Sequence, residues 1–176
     1  MAEPNKAVFR VLIAARIEDI FREITRTDRP QAAVYDAMLV TARLAPGARM
    51  QLRTKSGKHT IVDGEVLECD PPRRFAHTHR FTQHDDPVCR VVYDLKPVGT
   101  QVEVTLTVED LPVGTRTARS MMSGGPFILA NLKAVAERGR PALGTRLMYA
   151  AMGALEFMLP ARTRSERWPL SPGGRP

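Results

Sequence analysis

Two histidines, His77 and His79, stand two residues apart in Arg74–Phe81, a segment whose pattern favours a β-strand. Side chains at this spacing point to one face of a strand, so the two imidazoles could act as acid and base or begin a metal site. No acidic residue or cysteine is placed nearby in the sequence to complete such a site or to orient either ring. We therefore predict no metal site and a polar pair lining a cavity. His77 and, on the next strand, Tyr93 are weak candidates for catalysis.

The remaining chemical motifs are weak or missing. The chain has no serine-centred elbow, phosphate-cradling glycine loop or paired-cysteine zinc spacing. Asp85 and Asp86 lie between His84 and Pro87, which favours a solvated turn over a catalytic pair of carboxylates. The glycine pair at 124–125 has no third glycine at the spacing of a dinucleotide site. The sequence therefore predicts no cofactor.

The segments that must position these side chains have the pattern of a sheet. Gln101–Glu109 alternates most cleanly, with Val102, Val104, Leu106 and Val108 on one face and polar side chains on the other. Short turns join successive strands, so an antiparallel meander is the economical topology. The predicted order is a strand at Lys6–Arg16, a helix at Ile17–Arg26, and six strands at Ala37–Leu44, Arg49–Thr54, His59–Cys69, Arg74–Phe81, Val88–Leu95 and Gln101–Glu109.

A second helix closes this run of strands. Ser123–Gly139 predicts one helix, because its apolar residues recur at steps of three and four. Ser123 is the predicted N-cap, and Pro126 is tolerated in a first turn, where backbone donors lack partners. Gly139 and Pro141 form the stop signal. A helix that closes a long antiparallel run predicts a curved sheet wrapped around it, with an apolar cavity between the two.

Two motifs resemble a known family. Gly64–Phe75, with its double proline, is similar to the strand-turn-strand motif of the activators of the heat-shock 90 chaperone's ATPase, and Gly124–Gly139 resembles their closing helix. The first strand and helix, Phe9–Ile24, also have the register seen in that family. The resemblance implies an α+β helix-grip fold of the START-like superfamily, with a curved antiparallel sheet of about six or seven strands around a C-terminal helix. The predicted parts are a helix-grip domain at 1–140 and a helical extension with a flexible tail at 141–176. Gly125 stands where the family often has tryptophan, which predicts a wider cavity mouth or a looser grip on the helix.

The resemblance leaves three classes of function open, because a fold does not determine function. The first is binding of a small hydrophobic molecule between sheet and helix, driven by removal of apolar surface from water. The second is a protein-interaction module that acts on a chaperone, and the third is a cyclase- or hydrolase-like enzyme that uses the same cavity. We favour the first, without established catalysis. The predicted ligand-binding residues are Leu106, Val108, Met122, Phe127, Leu132 and His79.

The net positive charge is confined to the C-terminal third. The chain carries a net charge of +7, and residues 116–176 hold 10 basic and 3 acidic side chains, so the preceding part is neutral. Nucleic-acid binders show a basic stripe interleaved with stacking aromatics, and only Trp168 and Tyr149 are candidates here. We expect no nucleic-acid partner. A cytoplasmic protein is the expected default, since the chain shows neither a signal-peptide pattern nor an apolar run long enough to span a bilayer.

One apolar segment follows the closing helix. Leu147–Leu159 is apolar except for Glu156, which is unusual for an exposed helix. Three arrangements follow: it packs on the outside of the grip, pairs with a second copy in a homodimer, or lies on a membrane surface beside nearby arginines. We rank peripheral membrane contact last, because exposed apolar patches usually meet protein first.

Overall fold

The computed structural model of the chain describes residues 5–170. Its strands are β1 (Ala7–Ile13), β2 (Met38–Thr41), β3 (Arg49–Arg53), β4 (Thr60–Asp70), β5 (Arg74–Phe81), β6 (Cys89–Val98) and β7 (Gln101–Glu109), and its helices are α1 (Ile17–Thr25), α2 (Arg116–Arg138) and α3 (Leu143–Ala154). The seven strands form one antiparallel sheet in the order β1-β7-β6-β5-β4-β3-β2. Successive strands from β2 to β7 are neighbours, and β1 returns to pair with the last strand.

The predicted fold class and the order of a strand, a helix, six strands and a closing helix are confirmed. The buried face of β7 carries Val102, Val104, Leu106 and Val108, as its alternation predicts. Phe9 of β1 lies across from Leu106, so the inward residues of β1 join the same core. Strand ends differ from the predicted ones by at most three residues, because pairing with the neighbouring strand decides where a strand stops.

The closing helix α2 packs mainly against β1, with further contacts to α1 and β7. It begins at Arg116, so the predicted start at Ser123 is wrong. The N-cap is Thr115, whose hydroxyl oxygen accepts a hydrogen bond from the Ala118 N–H at 3.2 Å. Pro126 therefore lies inside the helix, where its missing N–H leaves one helical carbonyl without its usual donor.

The chain leaves α2 at Gly139, whose left-handed backbone (φ of 75°) forms the predicted helix end. Residues 142–170, which we call the C-terminal segment, form α3 and three 3-10 turns at Glu156–Met158, Ala161–Thr163 and Ser165–Arg167. The helix predicted over Leu147–Leu159 thus begins and ends earlier than expected. The predicted flexible end at Ser171–Pro176 lies outside the described residues. None of the described helices is long and apolar enough to span a bilayer.

Hydrogen bonds fasten the far end of the C-terminal segment to the hairpin between β3 and β4. The Ser165 N–H donates to the Lys58 carbonyl at 2.9 Å. The Nδ1 atom of His59 donates to the Thr163 hydroxyl at 2.8 Å, since that hydroxyl itself donates to the Pro160 carbonyl. The C-terminal segment is therefore attached at both ends, by the chain itself after α2 and by this hairpin.

Candidate functional site

A cavity of about 640 Å³ lies between α2 and the inner face of the sheet. Strands β3 to β7 form its floor, α2 forms one wall, and the loop between α1 and β2 forms another. Helix α3 and the turn after it cross the top, so the C-terminal segment covers the cavity. Its volume is in the range of small-molecule sites. The lining residues of the sheet include Val62, His77, His79, Tyr93, Leu106 and Val108.

Strand β5 supplies a row of aromatic rings. Phe75, His77, His79 and Phe81 alternate along its inner face, because strand side chains repeat every two residues. Neighbouring ring centroids in this row are 5.4, 5.7 and 4.7 Å apart. His84 continues the row at 6.0 Å from Phe81. The prediction that the two strand histidines share one face is confirmed.

His77 is a neutral hydrogen-bond acceptor in a defined orientation. Its Nδ1 lies 2.9 Å from the Thr78 carbonyl oxygen, and because a carbonyl only accepts, Nδ1 carries the ring hydrogen. Burial lowers the pKa of His77 to about 4, although the bond to Thr78 opposes that shift. At neutral pH the Nε2 atom of His77 therefore carries no hydrogen, and no described residue donates to it.

His79 is buried without a polar partner. The residue is 8% exposed, and neither ring nitrogen has a hydrogen-bond partner within residues 5–170. Burial and the neighbouring His77 lower the pKa of His79 well below its ordinary value, so the ring is neutral. An unpaired buried polar group costs about 1–3 kcal/mol, and native proteins keep few of them. The cavity wall thus holds a hydrogen-bonding group that the protein leaves unsatisfied.

Tyr93 completes the polar part of the wall, and its chemistry suits binding better than catalysis. It pairs with Phe75 across β5 and β6, and burial raises the pKa of its hydroxyl above the usual range. His77 is a weak base, and its Nδ1 faces a backbone carbonyl where a catalytic base has an orienting carboxylate. In the part of the chain that the structure describes, no third His, Cys, Asp or Glu joins His77 and His79. Catalysis by His77 or Tyr93 stays a prediction.

Two polar contacts hold α3 over the cavity. Glu156, just after α3, accepts hydrogen bonds from the Ser56 hydroxyl at 2.6 Å and from Thr54. Tyr149 donates from its hydroxyl to the Ala32 carbonyl at 3.1 Å. Partial burial raises the pKa of Glu156, but its hydrogen bonds outweigh that effect, and the pKa lies below the ordinary value. The cover is therefore fastened by hydrogen bonds at its edges.

The predicted ligand-binding residues divide between sheet and helix. Leu106, Val108 and His79 line the cavity. Met122 is 50% exposed and lies in an open groove beside β1, and Leu132 is fully buried in the core. Neither lines the cavity.

Phe127, the third predicted helix residue, is also not part of the lining. Its ring stacks on Tyr35 with centroids 4.8 Å apart, and it meets the edge of the Tyr149 ring at 6.5 Å. Sequence reasoning missed the α2 residues that do face the cavity. Their steps of three and four become visible once the helix is extended to Arg116. They are Ser120, Met121, Ser123, Gly124, Gly125 and Ile128.

Gly125 makes room for the sheet. A Cβ atom at this position would lie 2.4 Å from the ring of Phe9. The aromatic ring of β1 thus fills the space that a larger helix residue would take. The predicted widening of the cavity mouth stays a prediction.

A curved antiparallel sheet that grips a helix over an apolar cavity defines the helix-grip class of proteins. Residues 14–137 match the family described as Activator of Hsp90 ATPase homolog 1-like protein, and the chain belongs to that family. The resemblance predicted from two motifs is thereby confirmed. No curated protein matches the sequence.

Several solved structures share this fold. CalU16 from Micromonospora echinospora is 18% identical with a TM-score of 0.61, over 88% of this chain and 87% of that one. The Aha1 dimer from Colwellia psychrerythraea is 19% identical with a TM-score of 0.60, over 76% and 97%. PFC0360w, an HSP90 activator from Plasmodium falciparum, is 15% identical with a TM-score of 0.61, over 74% and 94%. At these identities the similarity establishes the fold alone.

Proposed function

We propose that this protein binds a small hydrophobic molecule in the cavity beneath the C-terminal segment. The observation that carries the proposal is His79, which lines this cavity and whose two buried ring nitrogens have no hydrogen-bond partner among residues 5–170. A bound molecule would offer those nitrogens a partner and would at the same time remove the apolar surface of the cavity lining from water. Binding would thus relieve a cost that the empty protein carries.

The way in and out of the cavity leads past α3. This helix has no buried residue, and it is held by hydrogen bonds that water can replace and by the edge-on contact of Tyr149 with the Phe127 ring. Elements with few buried apolar contacts open at low free energy. The cover can therefore lift while the sheet and α2 stay folded.

The neutral fluorescent probe 1-N-phenylnaphthylamine tests the proposal on the full chain. We expect saturable one-to-one binding, weakened about tenfold or more by Leu106→Trp, because the larger ring fills the cavity. Val8→Trp is the matched control and should bind like the unchanged protein, because Val8 is 41% exposed on the outer face of β1. Ile128→Trp is a second filling variant, and circular dichroism checks that each variant folds. Lack of saturable binding, or equal binding by the filling and control variants, would overturn the proposal.

A second candidate function is association with protein through the C-terminal segment. Leu147, Phe157 and Met158 are 64%, 79% and 68% exposed, and clustered exposed apolar residues mark interaction surfaces. The partner would be a second copy of the chain or a chaperone, and a chaperone partner would suit the predicted cytoplasmic location. Among the similar folds, one protein is a dimer in solution and another is an HSP90 activator.

Light scattering at rising protein concentration tests the homodimer. We expect a dimer that Phe157→Ser weakens, because the substitution removes the most exposed apolar side chain of the segment. Mixing the chain with an Hsp90 ATPase tests the chaperone. A monomer at every concentration, together with an unchanged ATPase rate, would argue against this candidate.

A further inference from the structure

The buried end of the cavity presents hydrogen-bonding atoms of a defined kind. The Nε2 atom of His77 can only accept, because the ring hydrogen lies on Nδ1 and is used by the Thr78 carbonyl at 2.9 Å. A ligand atom opposite Nε2 must therefore donate a hydrogen. A hydroxyl or an N–H meets this requirement, whereas an ether, a ketone or a carboxylate would set two acceptors against each other.

The neighbouring side chains call for a group that both donates and accepts. A neutral imidazole has one N–H and one bare nitrogen, and in His79 neither has a partner in the described part of the chain. The His79 ring lines the cavity with both nitrogens buried, so a ligand reaches either nitrogen only after the ring rotates. The Tyr93 hydroxyl, in the same wall, also donates and accepts. Among single functional groups, a hydroxyl satisfies this set best.

Charge argues for a neutral ligand. The charged side chains of the described lining have polar partners of their own. The Nζ atom of Lys55 lies 3.2 Å from the Oδ2 atom of Asp36. The guanidinium group of Arg53 donates to the Gln51 side-chain oxygen at 2.8 Å. A carboxylate or an ammonium group beside His77 would be stripped of water without a counter-ion, which is strongly unfavourable.

The shape of the wall argues for a flat aromatic body. The rings of His77, His79, Phe81 and His84 follow one another along the cavity with centroids 5.7, 4.7 and 6.0 Å apart. Aromatic molecules pack well against such rings in stacked or edge-on arrangements. An aliphatic chain would bury similar area without this geometric preference.

On the basis of the proposed binding function, we propose that the ligand is a neutral aromatic molecule with a hydroxyl group, which donates to Nε2 of His77 and lies beside His79. This hydrogen bond would satisfy the Nε2 acceptor of His77. It would also bring the hydroxyl oxygen of the ligand within reach of the His79 ring. The assignment narrows a general apolar cavity to phenol-like and related aromatic alcohol ligands.

Three naphthalene probes of nearly equal size test the ligand class by calorimetry at pH 7.5. 2-Naphthol donates a hydrogen, 2-methoxynaphthalene has the same oxygen without a hydrogen, and 2-naphthoate is an anion. We expect 2-naphthol to bind about tenfold more tightly than 2-methoxynaphthalene, which is the usual effect of one hydrogen bond to a buried group. We expect 2-naphthoate to bind most weakly.

Two variants test whether the preference for 2-naphthol over 2-methoxynaphthalene arises at His77. His77→Phe should remove the preference for 2-naphthol over 2-methoxynaphthalene, because the ring remains and the acceptor is lost. Val108→Ala is the matched control: it lines the same cavity without a polar atom, so it should weaken both probes alike and keep the preference. If His77→Phe does not fold, His79→Phe is a second test, because it should also reduce the preference for 2-naphthol.

Equal binding of 2-naphthol and 2-methoxynaphthalene, or tightest binding of 2-naphthoate, would overturn the ligand class and leave the proposed function standing. Binding of 1-N-phenylnaphthylamine with none of the three probes would also overturn the ligand class. If no probe of either experiment binds, the proposed function itself is overturned.

Discussion

The two helical regions that enclose the cavity are attached to the sheet in opposite ways. Helix α2 buries Met121, Leu129 and Leu132 against the rest of the core. Helix α3 buries no residue, although most of its side chains are apolar. The C-terminal segment relies instead on hydrogen bonds such as those between Glu156 and Ser56.

This difference indicates which wall of the cavity is permanent. Apolar burial supplies most of the stability of a fold, whereas a single hydrogen bond adds about 1 kcal/mol. Helix α2 therefore belongs to the cooperative core, and α3 can open while the core stays folded. A cavity with one permanent wall and one removable cover suits reversible binding.

The largest expected effect on the free energy of unfolding comes from a comparison in which one leucine of each helix, α2 and α3, is truncated to alanine. Leu132→Ala should lower the free energy of unfolding by about 2–5 kcal/mol, because it leaves a void in a fully buried part of α2. Leu147→Ala should change it by less than about 0.5 kcal/mol, because Leu147 is 64% exposed. Urea unfolding measures both values. Similar losses for the two variants would show that α3 shares the cooperative core.

Acid should destabilise the core before it releases the cover. The ordinary pKa of histidine is 6.5, and that of His77 in the folded protein is about 4. Between these two pH values the unfolded chain binds a proton at His77 and the folded protein does not. Stability is therefore full above pH 6.5 and falls as the pH is lowered toward 4, by about 3 kcal/mol from His77. Urea unfolding at a series of pH values measures the slope, and His77→Phe should reduce it to the part that buried His79 contributes. Protection of the α3 amides, expressed relative to the intrinsic exchange rate at each pH, should stay nearly constant down to pH 4.5, because the pKa of Glu156 lies below its ordinary value of 4.5.

A methyl group added to neighbouring glycines of α2 tests how tightly this helix is held. Gly125→Ala should destabilise the protein by about 1–3 kcal/mol, because the new Cβ would lie 2.4 Å from the Phe9 ring. Gly124→Ala is the control: its Cβ would meet only the Tyr35 hydroxyl, at 3.4 Å, and alanine favours helices. Thermal unfolding measures the difference. Equal midpoints for the two variants would contradict the tight contact between α2 and β1.

A smaller and local effect is expected where the cover is fastened. Glu156→Ala removes the hydrogen bonds to Ser56 and Thr54, so α3 should open more easily by about 1 kcal/mol. Hydrogen exchange of the α3 amides reports this opening, while global unfolding should hardly change. Glu166→Ala is the matched control, because Glu166 is an exposed acid elsewhere in the C-terminal segment. A parallel loss of protection in α2 would mean that the cover does not open separately.

The smallest effect has the opposite sign. A Cβ atom at Gly153 of α3 would meet nothing within 4 Å, so Gly153→Ala gains helix propensity without a clash. We expect about 0.5–1 kcal/mol of added protection for α3 in hydrogen exchange. Destabilisation by Gly153→Ala would indicate that α3 is packed as closely as α2.

Most of the fold was predictable because its signals are local. The alternation of Gln101–Glu109 and the stop at Gly139 depend on neighbouring residues, and both are confirmed. The start of α2 was missed because the capping residue, Thr115, precedes the apolar stripe and lacks an acidic first turn to mark it. Ser123 has the residue type of a cap, but its hydroxyl bonds within the helix, to the Arg119 and Ser120 carbonyls.

The candidate site was predictable on its sheet side and poorly predictable on its helix side. Leu106 and Val108 face the cavity because strand periodicity leaves only two faces to choose between. The apolar side chains of α2 point in several directions around the helix, and different ones contact different neighbours. Met121 faces the cavity while Leu132 packs in the core, and sequence spacing alone does not separate them.

The sequence by itself determined the family, the order of the elements and the common face of His77 and His79, because periodicity and short motifs are properties of adjacent residues. Only the tertiary structure decided that His79 has no hydrogen-bond partner between residues 5 and 170 and that the apolar C-terminal segment covers the cavity. Both depend on residues far apart in the chain. Glu156 and Ser56, which fasten the cover, are separated by 100 positions, and no local pattern links them.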